Sequence, residues 1–581
     1  MLHLLCLLLV VQSDALPPAE YAYDPVQAAD EFVARVSRES GIPGLVVGVV
    51  GASEVKYVRG FGVKTINTSD AIDENTITEI GSCSKTFIAM GLAYFVDKGI
   101  ISWNTVVADI IPDFQTSDTY LTQNLNIGDL LAHRSGYDWW QATIIMLVGD
   151  LKNETELVTK RLKSLPVPNR LGLQFAYSNL GYEIATNALQ NLAREPWFDF
   201  IKRRFLVPLG MHSTFASLYG DLTPTQKKLV SSGHLYVMSD PKGPSGIVTP
   251  FDLLESGSPM LPQGIATHRM GSGSIATSMS DYCKWMAFLL NPLEPPGIFD
   301  SWEALSQTQT AQMITFANWT YLSGLLNVTE PGNAFGATFG HDVSGAVFHG
   351  EHIFSKGGDS VYFKTRNGFL PERNLAVAVT QNMKHDPLED HYINGIRNGL
   401  LDIFSGKSLE TVNAHWDALS LKIESAKEMI RRSYEVVHMS VPLREGKAVN
   451  ISYVSGDGPE YWMSNHALDI PQLDVLLKAT HDFGLLPPAP LANYLGTFHD
   501  DFMGTLEVTA SQDGRPVVHY GAVQGVLSWM GKNDPFGNAF LCANATRHTP
   551  LFTSEPARTT CSFSTPQKAA LFISLFLIPY L

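Results

Sequence analysis

Three short segments of the chain carry side chains that could together support nucleophilic catalysis. In the first, Ser82-Cys83-Ser84-Lys85, the serine and the lysine are three residues apart, so on a helix that begins at Ser82 both side chains would share one face. A serine hydroxyl is a weak nucleophile that needs a base beside it. Lys85, buried at a helix N-terminus, would have its charged form disfavoured and could act as that base. The first N–H groups of such a helix would also offer an oxyanion site.

The other two segments are Tyr177-Ser178-Asn179 and Lys356-Gly357-Gly358. A tyrosine near a lysine can relay protons, and an asparagine side chain can hold a substrate amide. A glycine-rich strand lets a substrate backbone approach closely, and its lysine adds positive potential to a cleft. Each segment alone is weak, because a helix cap, a loop turn or a strand end gives the same residues. The three in this order are much more specific than any one of them.

The chain around the first segment predicts the elements that must hold it. Helical spacing over residues 28–40 is followed by a strand at 45–50 and its hairpin partner at 55–61. An apolar helix follows Lys85 and ends at a C-terminal cap formed by Lys98-Gly99.

Strands return between residues 347 and 380, with a predicted turn at Arg366-Asn367-Gly368. Strands therefore flank a helical middle on both sides. This order predicts an α+β fold in which the first and last strands share one antiparallel sheet flanked by helices.

The remaining third of the chain shows a second, smaller pattern. A polar helical stretch over residues 413–437 predicts a linker, and a β-rich unit begins near residue 485. Its strands are predicted at 506–509 and 517–520, around a turn at Gln512-Asp513-Gly514.

Taken together, the three segments resemble the serine β-lactamase-related superfamily, in its class C and penicillin-binding-protein-like branch. The resemblance covers roughly residues 25–405, and Tyr494–Phe498 with the strand after it resembles a small β-barrel domain appended to such enzymes. Further stretches that match in kind are residues 42–45, 59–62, 129–136, 175–182, 208–211 and 271–277. The resemblance implies a β-lactamase/transpeptidase-like fold with an all-α subdomain.

With the resemblance, five parts of the chain are predicted. They are a signal peptide (1–16), a β-lactamase-like serine hydrolase domain (25–405), a helical linker region (406–484), a small β-rich C-terminal domain (485–556) and an apolar tail (557–581).

The resemblance also implies roles for the site residues and no metal or organic cofactor. Ser82 would attack a carbonyl to form an acyl-enzyme, while Lys85 and Tyr177 would move protons, with the choice of base left open. The substrate-binding set would be Asn179 on the acyl side, Lys356 beside the tyrosine, Gly358 on the open strand, and Asp359, whose N–H would complete the oxyanion hole with that of Ser82.

One departure from the family pattern bears on the substrate. Position 357, where the family usually has a hydroxyl residue, is Gly357, and Asp359 adds an acid beside the cleft. Losing a donor and adding a negative charge should weaken an anionic substrate. We therefore expect an esterase or amidase for a neutral small molecule. The alternatives are a D-amino-acid-type peptidase, whose amine Asp359 could hold, a weak β-lactamase, or a non-catalytic surface glycoprotein.

Composition and the two ends of the chain bear on partners and location. A net charge of -16 over 581 residues disfavours nucleic-acid binding. The apolar run at residues 2–11 predicts a signal peptide and a secreted protein, and six N-glycosylation sequons agree with secretion. The apolar end after a Ser/Thr-rich stretch predicts either a glycosylphosphatidylinositol (GPI) anchor signal with attachment near Ala557 or a packed tail. Cys542 and Cys561 could pair unless that cleavage removes Cys561.

Three other patterns in the sequence carry weaker signals. Residues 271–276 satisfy a dinucleotide-binding pattern, but no predicted strand precedes them. His341, His349 and His352 lie close in sequence at a spacing that fits metal sites poorly. Trp139-Trp140 could pack in the core or line the substrate pocket. The sequence does not predict an oligomeric state.

Overall fold

A computed structural model gives the fold of the chain. It describes residues 23–137, 161–173, 175–218, 222–238, 246–251, 254, 270–294, 296–309, 336–349, 351–360, 362–384, 389–433, 435–442, 448–455, 492, 495–500, 504–510, 516–520, 523–528, 540–542, 559–561 and 573–575. The predicted signal peptide, Trp139-Trp140, the turn at 512–514 and Ala557 lie outside these residues.

The helices, in chain order, are α1 (Pro25–Ser40), α2 (Lys85–Asp97), α3 (Thr119–Asn124), α4 (Ile127–Leu131), α5 (Asn179–Ala193), α6 (Trp197–Ile201), α7 (Pro224–Lys227), α8 (Met279–Leu290), α9 (Glu303–Gln309), α10 (Glu389–Phe404) and α11 (Leu409–Ser433). The strands are β1 (Gly44–Val50), β2 (Val55–Gly62), β3 (Ile77–Glu79), β4 (Thr214–Phe215), β5 (Gly233–Met238), β6 (Gly246–Phe251), β7 (Ala276–Ser278), β8 (Gly336–Thr338), β9 (His341–Phe348), β10 (Glu351–Ser355), β11 (Gly357–Asp359), β12 (Lys364–Leu370), β13 (Leu375–Gln381), β14 (Met383–Lys384), β15 (Glu435–Pro442), β16 (Ala448–Ser455), β17 (Gly496–Asp500), β18 (Gly504–Ala510), β19 (Pro516–Tyr520), β20 (Val523–Ser528), β21 (Phe540–Cys542), β22 (Thr559–Cys561) and β23 (Ile573–Leu575).

An antiparallel sheet forms the centre of the molecule. Its strand order is β2-β1-β13-β12-β10-β9-β8, with β11 paired to β12 beside that path. Val47 of β1 lies opposite Arg59 of β2 on one side and Val379 of β13 on the other. The α+β prediction, with the first and last strands of the domain in one sheet, is therefore confirmed.

Helices cover both faces of this sheet, which explains why β1 is apolar or glycine at every position. All seven residues of β1 are buried, as expected for a strand with no solvent-facing side. Val46 and Val50 join the core formed with α2 and α8. Leu45, Val47 and Val49 join a second core with α1, α10 and α11. The sheet is thereby fixed between two hydrophobic layers.

The helix that follows the turn of Ser82, α2, lies deep within the helical layer. Phe87 stacks on Trp285 of α8 with ring centroids 3.8 Å apart, and the indole N–H donates to Thr86 Oγ1 at 2.9 Å. At Gly91 a methyl group would come within 2.8 Å of Leu189 in α5, so the glycine allows the two helices to approach closely. The position of α2 is therefore set by tight contacts with α5 and α8.

The predicted turn at Arg366-Asn367-Gly368 is wrong. These residues lie inside β12, and the chain reverses at Pro371–Arg373, where Asn374 has φ 50°. An Asn-Gly pair is typical of a hairpin turn, but the Asn367 side chain is used here to bind buried groups. It accepts from Lys356 N at 2.7 Å and donates to the Tyr282 hydroxyl at 2.8 Å.

The chain beyond the central sheet begins with the long helix α11. The helix predicted over 413–437 runs instead from Leu409 to Ser433 and is followed by the hairpin of β15 and β16. Trp416 and Ile423 of α11 are buried in the same core as Phe32 of α1. The first part of the predicted linker thus packs against the core of residues 25–405. The domain boundaries themselves stay predictions.

The β-rich C-terminal unit contains the antiparallel sheet β17-β18-β19-β20-β21. Its predicted hairpin is confirmed, with Leu506 opposite Tyr520 and Thr509 opposite Val517. Further on, β22 pairs with β23. Among the described helices, none combines the length and the apolar character needed to cross a bilayer.

Candidate active site

Ser82 lies in a tight 3-10 turn, Gly81–Ser84, that leads directly into α2. Gly81 has φ +51°, and a Cβ there would lie 2.5 Å from the backbone of Asp359. Both the conformation and the contact favour glycine. Only 3% of Ser82 is exposed. The turn therefore holds its hydroxyl at the edge of the hydrophobic core.

Lys85 begins α2 and is fully buried, with its ammonium group pointing at three oxygen acceptors. Nζ donates to Ser82 Oγ at 3.0 Å, to Asn179 Oδ1 at 2.6 Å and to Ser272 O at 2.7 Å. Three acceptors match the three N–H groups of a charged lysine. The arrangement therefore stabilises Lys85 as the ammonium and orients it toward the nucleophile.

Tyr177 approaches Ser82 from the other side. Its hydroxyl donates to Ser82 Oγ at 2.8 Å, and Lys356 Nζ donates to the same hydroxyl at 3.4 Å. Lys85 Nζ also lies 4.9 Å from the centroid of the tyrosine ring. Ser82, Lys85, Tyr177, Asn179 and Lys356, which the sequence predicts as site residues, are thus brought together.

His133 packs against Tyr177 and binds the backbone next to it. Its ring stacks on that of Tyr177 with centroids 4.4 Å apart, and its Nδ1 accepts from Ser178 N at 3.0 Å. Burial, together with the positive charges of Lys85 and Lys356, holds the pKa of His133 well below its usual range. The imidazole is therefore neutral and acts as a fixed acceptor for the loop that carries Tyr177.

The glycine-rich strand β11 lies directly against the turn of Ser82. A Cβ on Gly358 would lie 2.0 Å from Ile80 O and 2.9 Å from Cys83 N, so no side chain fits. This contact brings the backbone of Asp359 beside Gly81, the residue that precedes Ser82. The closeness of the two backbone segments is what the predicted oxyanion hole requires.

The sequence predicts that Asp359 adds a negative charge beside the cleft, but the structure pairs its carboxylate with cationic side chains. Its carboxylate accepts from the guanidinium of Arg366 at 2.6 Å and lies 3.8 Å from Lys364 Nζ. A Cβ on Gly357 would lie 3.4 Å from the same guanidinium. Arg366 therefore lies beside the position of the usual hydroxyl, and the local charge of Asp359 is offset.

Three residues around the site were missed from the sequence: His133, Glu183 and Ser272. His133 lies in the stretch 129–136 and Ser272 in the stretch 271–277, both noted only for the resemblance. Glu183 carried no signal, because its contact with Ser272 joins segments 89 residues apart. Such contacts leave no periodicity in the sequence.

Two of the three histidines that lie close in sequence contact other side chains. His341 Nδ1 lies 3.1 Å from Thr338 Oγ1, and His349 Nε2 lies 3.1 Å from Asp402 Oδ1. Over the described part of the chain, no group of three or more His, Cys, Asp or Glu side chains could hold a metal ion.

Comparisons with known proteins identify a family and similar chains. The family model named Beta-lactamase matches residues 27–397. The unguisins hydrolase ungD' of Aspergillus campestris (strain IBT 28561) is 27% identical over 281 residues, which are 46% of this chain and 48% of that protein. A beta-lactamase of Providencia stuartii is 25% identical over 208 residues, 36% of this chain and 50% of that one. The chain thus spans about half the length of the curated relatives it matches.

Solved structures show the same fold. The octameric penicillin-binding protein homologue from Pyrococcus abyssi superposes with a TM-score of 0.52 at 17% identity, covering 89% of this chain and 98% of that one. A D-amino acid amidase from Ochrobactrum anthropi SV3 superposes with a TM-score of 0.51 at 18% identity, covering 66% and 98%. At these identities the likeness shows the fold alone.

Proposed function

Because the chain belongs to the beta-lactamase family of serine hydrolases, we propose that Ser82 is its nucleophile and that it cleaves an ester or amide through an acyl-enzyme. One observation carries the proposal: Ser82 Oγ receives hydrogen bonds from Lys85 at 3.0 Å and from Tyr177 at 2.8 Å. A serine held between two proton-handling groups is the arrangement that activates a hydroxyl.

In this proposal Tyr177 first loses its own hydroxyl proton to solvent and then, as the phenolate, takes the proton of Ser82. Lys85 is held as an ammonium by its three acceptors, so it has no lone pair to offer. The ammonium groups of Lys85 and Lys356 lie 4.9 Å and 5.1 Å from the tyrosine ring. Two positive charges stabilise the phenolate that accepts the proton of Ser82.

The two chemical steps then use the same groups. As Ser82 Oγ bonds to the substrate carbonyl carbon, its proton passes to Tyr177, and the N–H groups of Ser82 and Asp359 stabilise the oxyanion. Tyr177 gives the proton to the departing alcohol or amine, leaving the acyl-enzyme. A water molecule then gives a proton to Tyr177 as its oxygen bonds to the acyl carbon. The bond from that carbon to Ser82 Oγ breaks, and Tyr177 returns the proton to Oγ, which releases the acid and restores Ser82.

We still propose a neutral substrate, but the reason is now the pairing of Asp359 with Arg366 and not an added negative charge. Gly357 removes the hydroxyl donor, and the adjacent guanidinium of Arg366 is already bound to Asp359 at 2.6 Å. The paired charges offer neither a free cation for a carboxylate nor a free anion for an amine. The two alternatives, a weak β-lactamase and a D-amino-acid-type peptidase, are distinguished from an esterase by the substrate screen described below.

We propose further that the mature protein is extracellular, with or without a GPI anchor. The apolar N-terminal run supports this, as does the exposed position of the Asn67 sequon. Treatment of expressing cells with phosphatidylinositol-specific phospholipase C tests the anchor. Release into the medium supports it, and retention with no lipid mass on the protein contradicts it.

The hydrolase proposal is tested with short-chain p-nitrophenyl esters and the variant Ser82→Ala. We expect kcat/KM to fall at least about a thousandfold, as for other serine nucleophiles. Ser84→Ala is the matched control for the loss of a buried hydroxyl from the same turn, because Ser84 Oγ donates to Gly81 O and accepts from Ile275 N. Equal rates for wild type and Ser82→Ala would contradict the proposal. No turnover of esters, D-aminoacyl anilides or a cephalosporin would favour the non-catalytic glycoprotein.

A further inference from the structure

A buried carboxylate, Glu183, lies behind the catalytic lysine. The side chain belongs to α5 and is fully buried. Burying a carboxylate costs free energy unless hydrogen bonds and nearby positive charge offset the loss of water. The chain therefore has a physical reason to place Glu183 beside a buried cation.

Two side chains on one face of α5 reach Lys85 by different routes. Asn179, four residues before Glu183, accepts directly from Lys85 Nζ at 2.6 Å. Glu183 Oε1 accepts from Ser272 N at 3.0 Å, and Ser272 O accepts from Lys85 Nζ at 2.7 Å. Glu183 thus acts on Lys85 through the backbone of one residue.

The backbone of the loop that contains Ser272 is tightly constrained, so the position of the Ser272 carbonyl depends on few contacts. At Gly271 a Cβ would lie 2.0 Å from Thr186 Oγ1 of α5. Met270 O accepts from Gly273 N at 3.2 Å and from Ser274 N at 3.0 Å. The loop is a tight turn against α5, in which the bond from Glu183 fixes the backbone of Ser272.

We propose that Glu183 is a positioning residue for the reaction at Ser82. Its carboxylate holds the Ser272 carbonyl toward Lys85, and its negative charge stabilises the ammonium that faces the nucleophile. This assignment rests on the proposed function. Among the residues that the structure describes, the titratable groups around Lys85 include Cys83 in the turn of Ser82, His133 after α4, Tyr177 and Tyr182 around the start of α5, Glu183 itself, and Lys356 before β11.

The variants Glu183→Gln and Glu183→Ala separate charge from alignment. Glutamine keeps an oxygen acceptor for Ser272 N but removes the charge, which disfavours the ammonium. We expect its kcat to fall about tenfold, with the alkaline limb of the kcat–pH profile about one pH unit lower. Alanine also releases the loop, and we expect about a hundredfold loss of kcat. KM should change little, because Glu183 is buried behind Lys85.

The control is Asn187→Ala, a buried polar residue one turn further along α5. It should lower the unfolding midpoint while leaving the pH profile unchanged. Wild-type profiles in both Glu183 variants, or a loss that only tracks their unfolding midpoints, would overturn the positioning role. The proposed function is judged separately by labelling with a fluorophosphonate. Labelling that persists in Ser82→Ala overturns the proposed function, and the role of Glu183 falls with it.

Discussion

At the scale of single residues, the reactivity proposed for Ser82 depends on groups that do not touch it. His133 fixes the loop of Tyr177 through Ser178 N at 3.0 Å, and Asn179 fixes Lys85 at 2.6 Å. Each of these contacts is buried, so each donor left without its acceptor would be costly. The two proton-handling groups are therefore held in place before a substrate arrives.

His133→Phe tests the support of Tyr177. Phenylalanine keeps an aromatic ring against the tyrosine but leaves Ser178 N without its acceptor. We expect the free energy of unfolding to drop by about 1–3 kcal/mol and kcat to fall about tenfold, because a displaced base costs rate. Urea unfolding and ester hydrolysis measure the two effects. An unchanged kcat at reduced stability would limit His133 to a structural role.

Glu79, at the end of β3 beside the site, predicts a pH dependence of stability. Burial raises the pKa of Glu79 from 4.5 to about 7, and a hydrogen bond with Ser360 opposes the rise. The carboxyl is enclosed by protein atoms, although part of its surface stays accessible. Because the folded-state pKa is above the unfolded value, the stabilisation is complete below about pH 4.5 and is lost as the pH rises toward 7.

Glu79→Gln should therefore match wild type at pH 4 and have a higher melting temperature at pH 8. The exposed hairpin variant Glu54→Gln is the control and should show no such divergence. Parallel melting curves of Glu79→Gln and wild type across this range would contradict the raised pKa.

At the scale of elements, the sequence predicts those whose pattern is local. The run at 45–50 predicts the first strand of the hairpin, because every residue of β1 is buried between apolar layers. Asn367-Gly368 misleads, because the amide is used to bind Lys356 N and Tyr282. The three motif segments predict five residues that the fold brings together, whereas Glu183 contacts Ser272 across the fold. Local periodicity does not encode such contacts.

The neighbouring glycines of β11 provide a matched pair of variants. Gly358→Ala places a methyl group 2.0 Å from the backbone oxygen of Ile80, so β11 must move away from the turn of Ser82. We expect kcat to fall about a hundredfold or more. Gly357→Ala meets only the Arg366 guanidinium at 3.4 Å, and we expect activity within a few-fold of wild type. Similar losses in both variants would mean that the approach of β11 is not what sets the rate.

At the scale of the whole molecule, the site joins segments that are far apart in the chain. The turn of Ser82 and the strand after Lys356 meet across 273 residues, at the contact of Cys83 with Lys356 O. The central sheet makes this possible, because residues 45–50 of β1 pair with residues 376–381 of β13. Its outer face is closed by α1, α10 and α11, so α11 belongs physically to the hydrolase core.

Two truncations test where that core ends. Trp416 of α11 is buried against Phe32, with ring centroids 6.4 Å apart, and its indole donates to Glu39 at 2.6 Å. A chain ending at Ser433 keeps this contact, and we expect wild-type kcat on esters. A chain ending at Gly406 loses it, and its free energy of unfolding should fall by at least the roughly 3–5 kcal/mol expected for Trp416→Ala in the full chain. If the chain ending at Ser433 loses activity while its stability stays intact, residues after 433 complete the active site.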